Sequence, residues 1–206
     1  MTSPAFDKVL EHYRQRMTAE SVLHATPGFD LHAHRDELLL PVGEDVARLM
    51  VDLVVGLKAQ TLVEVGTSYG FSTLFLAEAA RRTDGRLFTY EIHPEKQAYA
   101  QERIKEAGLL EYVEFHLGDA VKLLEVQPGP VDFVLLDLWK DLYIPCFERL
   151  YPVLREGGVI IADNMLYPES ARVPAAAYQA AVRAKPDMQA VLLPIGQGID
   201  LACRSD

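Results

Sequence analysis

Two short apolar runs, each followed directly by polar residues, are the feature that most constrains how this chain folds. The first run is Val131–Leu136, interrupted by Asp132, and the second is Val159–Ala162. Short apolar runs of this kind are typical of fully buried parallel strands. In an open α/β sheet, ligands bind outside the carboxyl ends of such strands. The residues that follow the two runs are therefore the first candidates for a functional site.

The polar residues at these two strand ends are Asp137 and Lys140, then Asp163 and Asn164. Two carboxylates and an amide oxygen suit a hard divalent cation such as Mg²⁺, and a lysine beside that cation suits a general base. Alternatively, the two aspartates only cap the following helices and the lysine is a solvated residue at a helix start. Trp139 and the adjacent Asp163–Asn164 pair favour the functional interpretation.

Length, charge and cysteine content exclude several classes of protein. A chain of 206 residues predicts one domain, 1–206, in which residues 1–40 form a helical preface or cap. The net charge of −10 argues against nucleic acid as a partner. No apolar run reaches membrane-spanning length, and the charged first twenty residues exclude a signal-peptide core. Cys146 and Cys203 form no spacing motif, so we expect a reduced, cytoplasmic protein without a membrane partner.

From residue 41 onward, helix-like and strand-like segments alternate to the end of the chain. This alternation predicts an α/β, doubly wound, Rossmann-like sheet, mostly parallel, with helices on both faces. We expect about seven strands, the last two forming an antiparallel hairpin around Gly196 and Gly198. The predicted strands cover residues 61–65, 86–92, 112–116, 131–136, 159–162, 190–193 and 199–203. The predicted helices cover 44–57, 71–82, 94–107, 143–154 and 173–184, and another begins at 118–119.

A glycine-bearing turn after the first strand predicts a cofactor site. Gly66 and Gly70 would let the backbone approach a ligand at a helix amino terminus, and Glu91, which ends the next strand, is placed to accept hydrogen bonds from ribose hydroxyls. Ser68 stands where a dinucleotide turn requires glycine, which disfavours a nicotinamide oxidoreductase. S-adenosylmethionine (SAM) has no phosphate, and its ammonium group suits a nearby carboxylate such as Glu64. The alternative is that the glycines serve only a tight turn.

Together these segments resemble those of class I SAM-dependent, metal-dependent O-methyltransferases of the catechol O-methyltransferase type. Residues 64–72 are similar to that family's cofactor loop, and residues 91–94 to its ribose-binding strand end. Residues 137–143 resemble its metal-and-base segment, and residues 161–164 its second metal segment. The four motifs stand in the family's order and spacing, and the resemblance covers residues 40 to 205 approximately.

The resemblance implies a role for each matching residue. Asp137, Asp163 and Asn164 would bind a divalent cation, with Mg²⁺ expected and Ca²⁺ or Mn²⁺ as alternatives, and Lys140 would be the general base. The cofactor would be SAM, and family members are often homodimers. The residues implied around SAM are Glu64, Gly66, Tyr69, Gly70, Ser72, Glu91, Asp119, Ala120, Asp137 and Trp139.

The expected function is methyl transfer from SAM to a hydroxyl of a small, ortho-dihydroxy aromatic substrate that chelates the cation. Two departures leave catechol itself and the regiochemistry open: Leu138 replaces a histidine of the animal enzymes, and residues 189–194 lack their substrate-contacting acid, for which Asp200 is the nearest candidate. The alternatives are a SAM-binding protein without turnover and a methyltransferase acting on a non-catechol small molecule. His32 and His34 are interpreted as surface or half-buried residues and not as metal ligands. The segment that contains them is a candidate to cover the substrate pocket.

Overall fold

A seven-stranded mixed sheet forms the centre of the protein. The computed structural model describes residues 2–205, apart from the side chains of residues 31 and 32. The strands are β1 (Thr61–Val65), β2 (Arg86–Glu91), β3 (Val113–Leu117), β4 (Val131–Leu136), β5 (Leu154–Ala162), β6 (Met188–Leu193) and β7 (Ile199–Arg204). They lie in the order β3-β2-β1-β4-β5-β7-β6, in which β7 is antiparallel to both of its neighbours and the other pairs are parallel.

Helices connect the strands and cover both faces of the sheet. The α-helices are α1 (Pro4–His24), α2 (Leu31–His34), α3 (Glu44–Leu57), α4 (Phe71–Thr83), α5 (Pro94–Glu106), α6 (Ala120–Leu123), α7 (Tyr143–Leu150) and α8 (Arg172–Arg183). Short 3₁₀ turns cover Leu110–Tyr112, Leu124–Val126, Lys140–Leu142, Tyr151–Val153 and Glu169–Ala171. The predicted class, a doubly wound α/β sheet with an antiparallel C-terminal hairpin, is confirmed.

Burial on both faces explains why β4 reads as a nearly continuous apolar run. Phe133 and Leu135 lie in a core that includes residues of α3 and α4. Val134 and Leu136 point to the opposite face and lie in a second core that includes residues of α7 and α8. Successive side chains of a strand point to opposite faces, so a strand covered on both sides is apolar at most positions; in β4 the exception is Asp132, near its start.

The largest errors in the predicted boundaries concern α7 and β5, and glycine accounts for the larger of the two. The helix expected over 143–154 ends at Leu150, and β5 begins at Leu154 rather than after Gly157 and Gly158. The pairing moves from Val131–Leu154 to Phe133–Val159, so β5 gains extra residues in a bulge that contains both glycines. A bulge of this kind commonly uses glycine in a left-handed conformation, and Gly157 has φ +69°. The helix expected after 118–119 is the single turn α6.

The strand order places a topological switch point between β1 and β4. From β1 the chain winds outward to β2 and β3, then returns to β4 on the other side of β1. Val65 pairs with Leu136, and Leu136 pairs with Ala162, so β1, β4 and β5 end side by side. Ligands of doubly wound folds bind at the carboxyl ends of the strands where the order reverses. The residues at these three strand ends are therefore the candidate site.

The N-terminal helix lies against the outer surface of α4 and α5. Phe6 of α1 meets Phe75 of α4 edge to face at 5.5 Å, and Tyr13 meets Phe71 in the same way at 5.8 Å. Val9 and Leu10 are buried with them. Over residues 2–205, no helix is both long and apolar enough to cross a membrane.

Gly66 allows the turn after β1 to pass directly beside the end of β4. A Cβ built on Gly66 would lie 2.0 Å from the carbonyl oxygen of Asp137, and its φ is +106°. We expect Gly66→Ala to lower the free energy of unfolding by more than about 4 kcal/mol, because backbone must move to admit the methyl group. Urea denaturation followed by circular dichroism measures the change.

The matched control is Gly108→Ala. Gly108 also has a positive φ, +73°, but a Cβ there would meet nothing within 4 Å. Only the conformational cost remains, so we expect a loss of about 1–2 kcal/mol. Equal losses for the two variants would contradict the steric explanation.

Candidate active site

Backbone hydrogen bonds extend the sheet by one residue at the candidate site. The amide of Asp137 donates to the carbonyl of Val65 at 2.9 Å, and the amide of Asp163 donates to the carbonyl of Leu136 at 3.0 Å. These bonds continue the ladder past the last paired residues of β1, β4 and β5. They bring Asp137 and Asp163 together, although the two are 26 positions apart in the chain.

Lys140 joins the two strand ends through its side chain. Its Nζ donates to Asn164 Oδ1 at 3.2 Å and makes a short hydrogen bond to Tyr143 Oη. The Tyr143 hydroxyl in turn donates to the carbonyl of Asp163 at 3.2 Å. Lys140 is half-buried. These partners exclude the alternative of a freely solvated lysine.

Tyr143 is a member of this cluster that the sequence interpretation did not single out. It is fully buried, and its ring centroid lies 3.9 Å from the Lys140 ammonium. Burial raises the pKa of Tyr143 well above its ordinary value, and the charges of Asp137 and Asp163 raise it further, so the hydroxyl keeps its proton. Its spacing of three residues from Lys140, one helical turn, was the available signal.

The electrostatics of the cluster follow from burial and from the closeness of two carboxylates. Burial raises the pKa of Asp137, and Lys140 opposes that rise. Burial and the charge of Asp137 raise the pKa of Asp163 to about 8. Burial lowers the pKa of Lys140 to about 8, and the two aspartates oppose that change. Two carboxylates near one another repel, and an added positive charge would favour the ionised form of both.

Asp137, Asp163 and Asn164 fit a divalent cation. Asp163 Oδ1 is buried and has no hydrogen-bond partner, which is costly unless a ligand satisfies it. Asn164 Nδ2 donates to Gln197 Oε1 at 3.2 Å, and this bond turns the amide oxygen toward Lys140. Among the residues that the structure describes, no group of three or more His, Cys, Asp or Glu could hold a metal; the set here has only two carboxylates, completed by an amide.

The helix-capping alternative for the two aspartates is wrong. The 3₁₀ turn after Asp137 begins at Lys140 with Trp139 at its N-cap, and the one after Asp163 begins at Glu169 with Pro168 at its N-cap; neither has a side-chain cap. Asp119, by contrast, caps α6, because its carboxylate accepts from the amide of Val121 at 3.0 Å.

Glu91 supports the turn after β1 from the neighbouring strand. Its Oε2 accepts from the amide of Ser68 at 2.7 Å, and its Oε1 accepts from the amides of Ile92 and His93 at 2.8 and 2.9 Å. Ser68 has φ +46°, a left-handed conformation that this bond stabilises. A carboxylate offers about four acceptor sites, so Glu91 retains capacity for a ribose hydroxyl.

Glu64 is a fully buried carboxylate with one oxygen free for a ligand. Its Oε2 accepts from Thr73 Oγ1 and Thr89 Oγ1, both at 2.6 Å, and Thr89 also bonds to Thr67 Oγ1 at 2.5 Å. Its Oε1 is buried without a partner. Burial raises the pKa of Glu64 to about 7, and the nearby hydroxyls of Ser72, Thr73 and Thr89 oppose the rise. An ammonium group at Oε1 would satisfy this oxygen and favour the ionised form.

Thr73 and Thr89 are site residues that the sequence interpretation missed. Thr89 lies directly opposite Glu64 in the β1–β2 pairing, and both threonines are fully buried. A polar residue within an otherwise buried strand, in register with a buried carboxylate, was the signal that could have identified Thr89.

The remaining predicted cofactor residues lie around the same strand ends. Gly66, Gly70 and Ser72 belong to the turn and the start of α4, with Ser72 almost fully buried. The side chain of Tyr69 points toward the segment before α3, where its hydroxyl donates to the carbonyl of Asp36 at 3.0 Å. Ala120 begins α6.

Trp139 and the residues near the predicted substrate cover lie farther out. Trp139 is half exposed, and the Arg35 guanidinium lies 4.3 Å from its ring centroid. His34 is exposed, stacks on Phe29 and pairs with Glu37. The side chain of His32 lies outside the described residues.

Asp200 does not face the predicted metal ligands. It is fully buried, and its Oδ1 accepts from Gln179 Nε2 at 2.9 Å and from Arg183 Nη2 at 3.2 Å. Both partners belong to α8, so Asp200 fastens that helix to β7.

Comparisons with known proteins agree with this fold and identify the family. A sequence model of an O-methyltransferase family matches residues 30–205, so the chain belongs to that family and the resemblance to catechol O-methyltransferase-like proteins is confirmed. A catechol O-methyltransferase of Niastella koreensis is 35% identical over 113 residues, which are 53% of this chain and 51% of that enzyme. The catechol O-methyltransferase of Bos taurus is 29% identical over 175 residues, covering 82% of this chain and 64% of the bovine enzyme.

Solved structures show the same architecture. The O-methyltransferase TomG of Streptomyces achromogenes, solved in complex with SAM, superposes with a TM-score of 0.78. The alignment covers 100% of this chain and 92% of TomG at 24% identity. At this identity the likeness establishes the fold.

The elevated pKa of Glu64 predicts how the stability of the ligand-free protein depends on pH. The folded value of about 7 exceeds the ordinary value of 4.5, so the folded state binds more protons between them. The stability from this group is complete below about pH 4.5 and is lost as pH rises through about 7. A pKa difference of about 2.5 corresponds to about 3 kcal/mol.

We expect Glu64→Gln to remove this dependence. Relative to the variant, the wild type should lose about 3 kcal/mol of unfolding free energy between pH 4.5 and 7.5, measured by urea denaturation at each pH. Glu95→Gln, at an exposed position of α5, is the control and should follow the wild type. Parallel profiles for wild type and Glu64→Gln would contradict the assignment.

Proposed function

We propose that this protein transfers a methyl group from SAM to a hydroxyl of a small ortho-dihydroxy aromatic substrate bound at a divalent cation. The cation is Mg²⁺ in this proposal, with Ca²⁺ or Mn²⁺ as alternatives. The single observation that carries the proposal is the cluster of Asp137, Asp163, Asn164 and Lys140 at the switch point, with Lys140 Nζ 3.2 Å from Asn164 Oδ1. Membership of the O-methyltransferase family supports the reaction type.

The chain's own residues would bind and orient the methyl donor. Glu91 would accept the ribose hydroxyls, and Glu64 Oε1, buried without a partner, would accept the ammonium of the methionine part. Gly66 and Gly70 let the turn pack closely against Asp137 and Ala100. Ser72, Asp119, Ala120 and Trp139 would complete the proposed walls. SAM supplies an electrophilic methyl group on a positively charged sulfur.

Asp137, Asp163 and Asn164 would hold the cation, and Tyr143 and Gln197 keep this set in place through Lys140 and Asn164. When bound, the cation supplies Lewis-acid stabilisation of the negative charge that develops on the substrate oxygen. The three ligands come from two adjacent strand ends, which leaves positions open for two neighbouring oxygens of a substrate.

Lys140 Nζ would accept the proton of the reacting hydroxyl. The oxygen then forms a bond to the methyl carbon as the bond from that carbon to sulfur breaks, and the proton stays on Lys140 until it reaches solvent. Tyr143 keeps Lys140 Nζ beside Asn164, so the general base would already be positioned near the substrate oxygen when the substrate binds. Because opposite charges neutralise in the transfer, the buried strand ends favour it by limiting water.

The proposal also covers domain organisation, location and assembly. We propose a single domain over residues 1–206, and the packing of α1 on α4 supports it. We propose a cytoplasmic location, which the free Cys146 and Cys203 support, and a homodimer, which only the family resemblance supports. The net charge of −10 supports a small-molecule substrate over nucleic acid.

Removal of the cation tests the proposed metal site. We expect methylation of ortho-dihydroxy aromatics by SAM with Mg²⁺, and its loss in excess EDTA. Asp163→Ala should weaken the binding of Mg²⁺ or Mn²⁺ at least tenfold, because it removes a charged ligand from a buried site. Calorimetry measures the change in affinity. Asp52→Ala, at an exposed position of α3, is the control.

Each outcome of this experiment separates two claims. Turnover that is unaffected by EDTA would contradict the metal site but would leave the proposed methyltransferase activity intact. SAM binding without turnover on any acceptor would favour the alternative of a binding protein, and turnover confined to other acceptors would favour a non-catechol substrate.

The role of Lys140 predicts a selective loss. We expect Lys140→Ala to lower kcat by about 10²–10⁴-fold, which is typical for removal of a general base, while the affinity for SAM changes less than about threefold. Steady-state kinetics and calorimetry measure the two quantities. Lys105→Ala, at an exposed position of α5, is the control. A kcat within about fivefold of the wild type would contradict the assignment.

A further inference from the structure

The N-terminal helix reaches the turn after β1 through one buried hydroxyl. Tyr13 of α1 is fully buried, and its Oη donates to the carbonyl of Tyr69 at 2.6 Å. The two residues are 56 positions apart in the chain. The family match covers residues 30–205, so this contact comes from a helix outside the matched segment.

This bond fixes the peptide that joins Tyr69 to Gly70. The amide of Gly70 donates to the carbonyl of Thr67 at 2.9 Å, and the carbonyl of Tyr69 accepts from Tyr13. Both polar groups of one peptide are therefore bonded, which defines its orientation. The carbonyl would otherwise be left without that partner in a crowded place, because a Cβ on Gly70 would lie 2.8 Å from Ala100 Cβ.

The same peptide determines where the turn meets a ligand. It lies between two residues of left-handed conformation: Ser68, which precedes Tyr69, has φ +46°, and Gly70 has φ +86°. Gly70 is the N-cap of α4, and its carbonyl accepts the first hydrogen bond of the helix, from the amide of Leu74 at 3.0 Å. A rotation of this peptide would change ψ of Tyr69 and φ of Gly70, and so displace the amino end of α4 relative to the part of the turn that Glu91 holds through the Ser68 amide.

A second contact from α1 holds the Tyr69 side chain. The Arg16 guanidinium lies 3.9 Å from the Tyr69 ring centroid, and Arg16 Nη2 donates to the carbonyl of Glu37 at 2.8 Å. The Tyr69 hydroxyl donates to the carbonyl of Asp36. Both the backbone and the side chain of Tyr69 are thus held from outside the α/β sheet.

We propose that Tyr13 is a positioning residue for the cofactor turn: its hydroxyl fixes the Tyr69–Gly70 peptide and so makes α1 part of the SAM site. The inference rests on the proposed function, because it requires that the turn binds SAM. Tyr13 touches neither the cofactor nor the substrate in this role.

The test is Tyr13→Phe, which keeps the ring that packs on Phe71 and removes the hydroxyl alone. The probe is S-adenosylhomocysteine (SAH), measured by calorimetry in excess EDTA so that the metal site plays no part. We expect the Kd for SAH to rise about five- to tenfold, as the loss of one buried hydrogen bond would cause. Without ligand, we expect faster hydrogen exchange at the amides of Gly70 and Leu74.

The control is Tyr99→Phe. Tyr99 packs edge to face on the Tyr69 ring at 5.4 Å, and its hydroxyl bonds to His12 Nε2 of α1 at 2.7 Å, without contact to the Tyr69 backbone. This variant should bind SAH like the wild type. Thermal melting of both variants reports any general loss of stability.

The outcomes separate the inference from the proposed function. If the wild type binds SAH and Tyr13→Phe binds it equally, the positioning role is overturned, even if the variant melts earlier. A weaker affinity shared by Tyr99→Phe would also overturn it, since the effect would then belong to α1 packing. If the wild type does not bind SAH, the proposed function fails, and the inference fails with it. Unchanged exchange at Gly70 and Leu74 would refute the fixed peptide independently of any ligand.

Discussion

The close passage of the turn after β1 beside the end of β4 is the constraint on which the rest of the site depends. Gly66 lies against the Asp137 carbonyl so closely that a methyl group would overlap it at 2.0 Å. The adjacent bond from the Asp137 amide to the Val65 carbonyl holds the two strand ends together. One glycine therefore brings the region proposed for the methyl donor beside the region proposed for the metal.

Buried charge gives the site its chemistry. Asp137 and Asp163 repel each other in a place with little water, and the pKa of Asp163 rises to about 8 as a result of burial and that repulsion. Burial lowers the pKa of Lys140 to about 8. Such an arrangement is costly for folding alone, because groups that could be ionised are held close together without full solvation. It is typical of sites that bind a charged ligand.

The two halves of the site are stabilised by different neighbours. Tyr143, at the start of α7, bonds to Lys140 and to the Asp163 carbonyl from the face of the sheet that α7 and α8 cover. Tyr13, on α1, holds the turn that follows β1 from the opposite layer of helices. Each uses a buried phenol hydroxyl bonded to a backbone carbonyl. A hydroxyl held in this way fixes a peptide orientation without adding charge to the site.

The sequence by itself determined the fold class and the candidate residues. Mostly apolar runs mark β1 and β4 at their observed bounds, since strands buried on both faces favour apolar residues on each. Glu64 in β1 and Asp132 in β4 are the charged exceptions. The polar residues after β4 and β5 had to meet, because parallel strands end at one edge. The bulge in β5 was not predictable, because Gly157 and Gly158 are equally typical of a turn before a strand, and only the pairing with β4 distinguishes the two.

Only the tertiary structure decided which side chains share a hydrogen bond. Thr89 beside Glu64, Tyr143 beside Lys140 and Tyr13 beside Tyr69 each depend on the register of strands or the docking of a helix. It also decided that Asp200 faces α8 and not the predicted metal ligands. Sequence spacing fixes neighbours within one element, whereas contacts between elements arise from the packing of the whole core. That difference is the physical reason why the sequence identified the chemistry and the structure identified its supports.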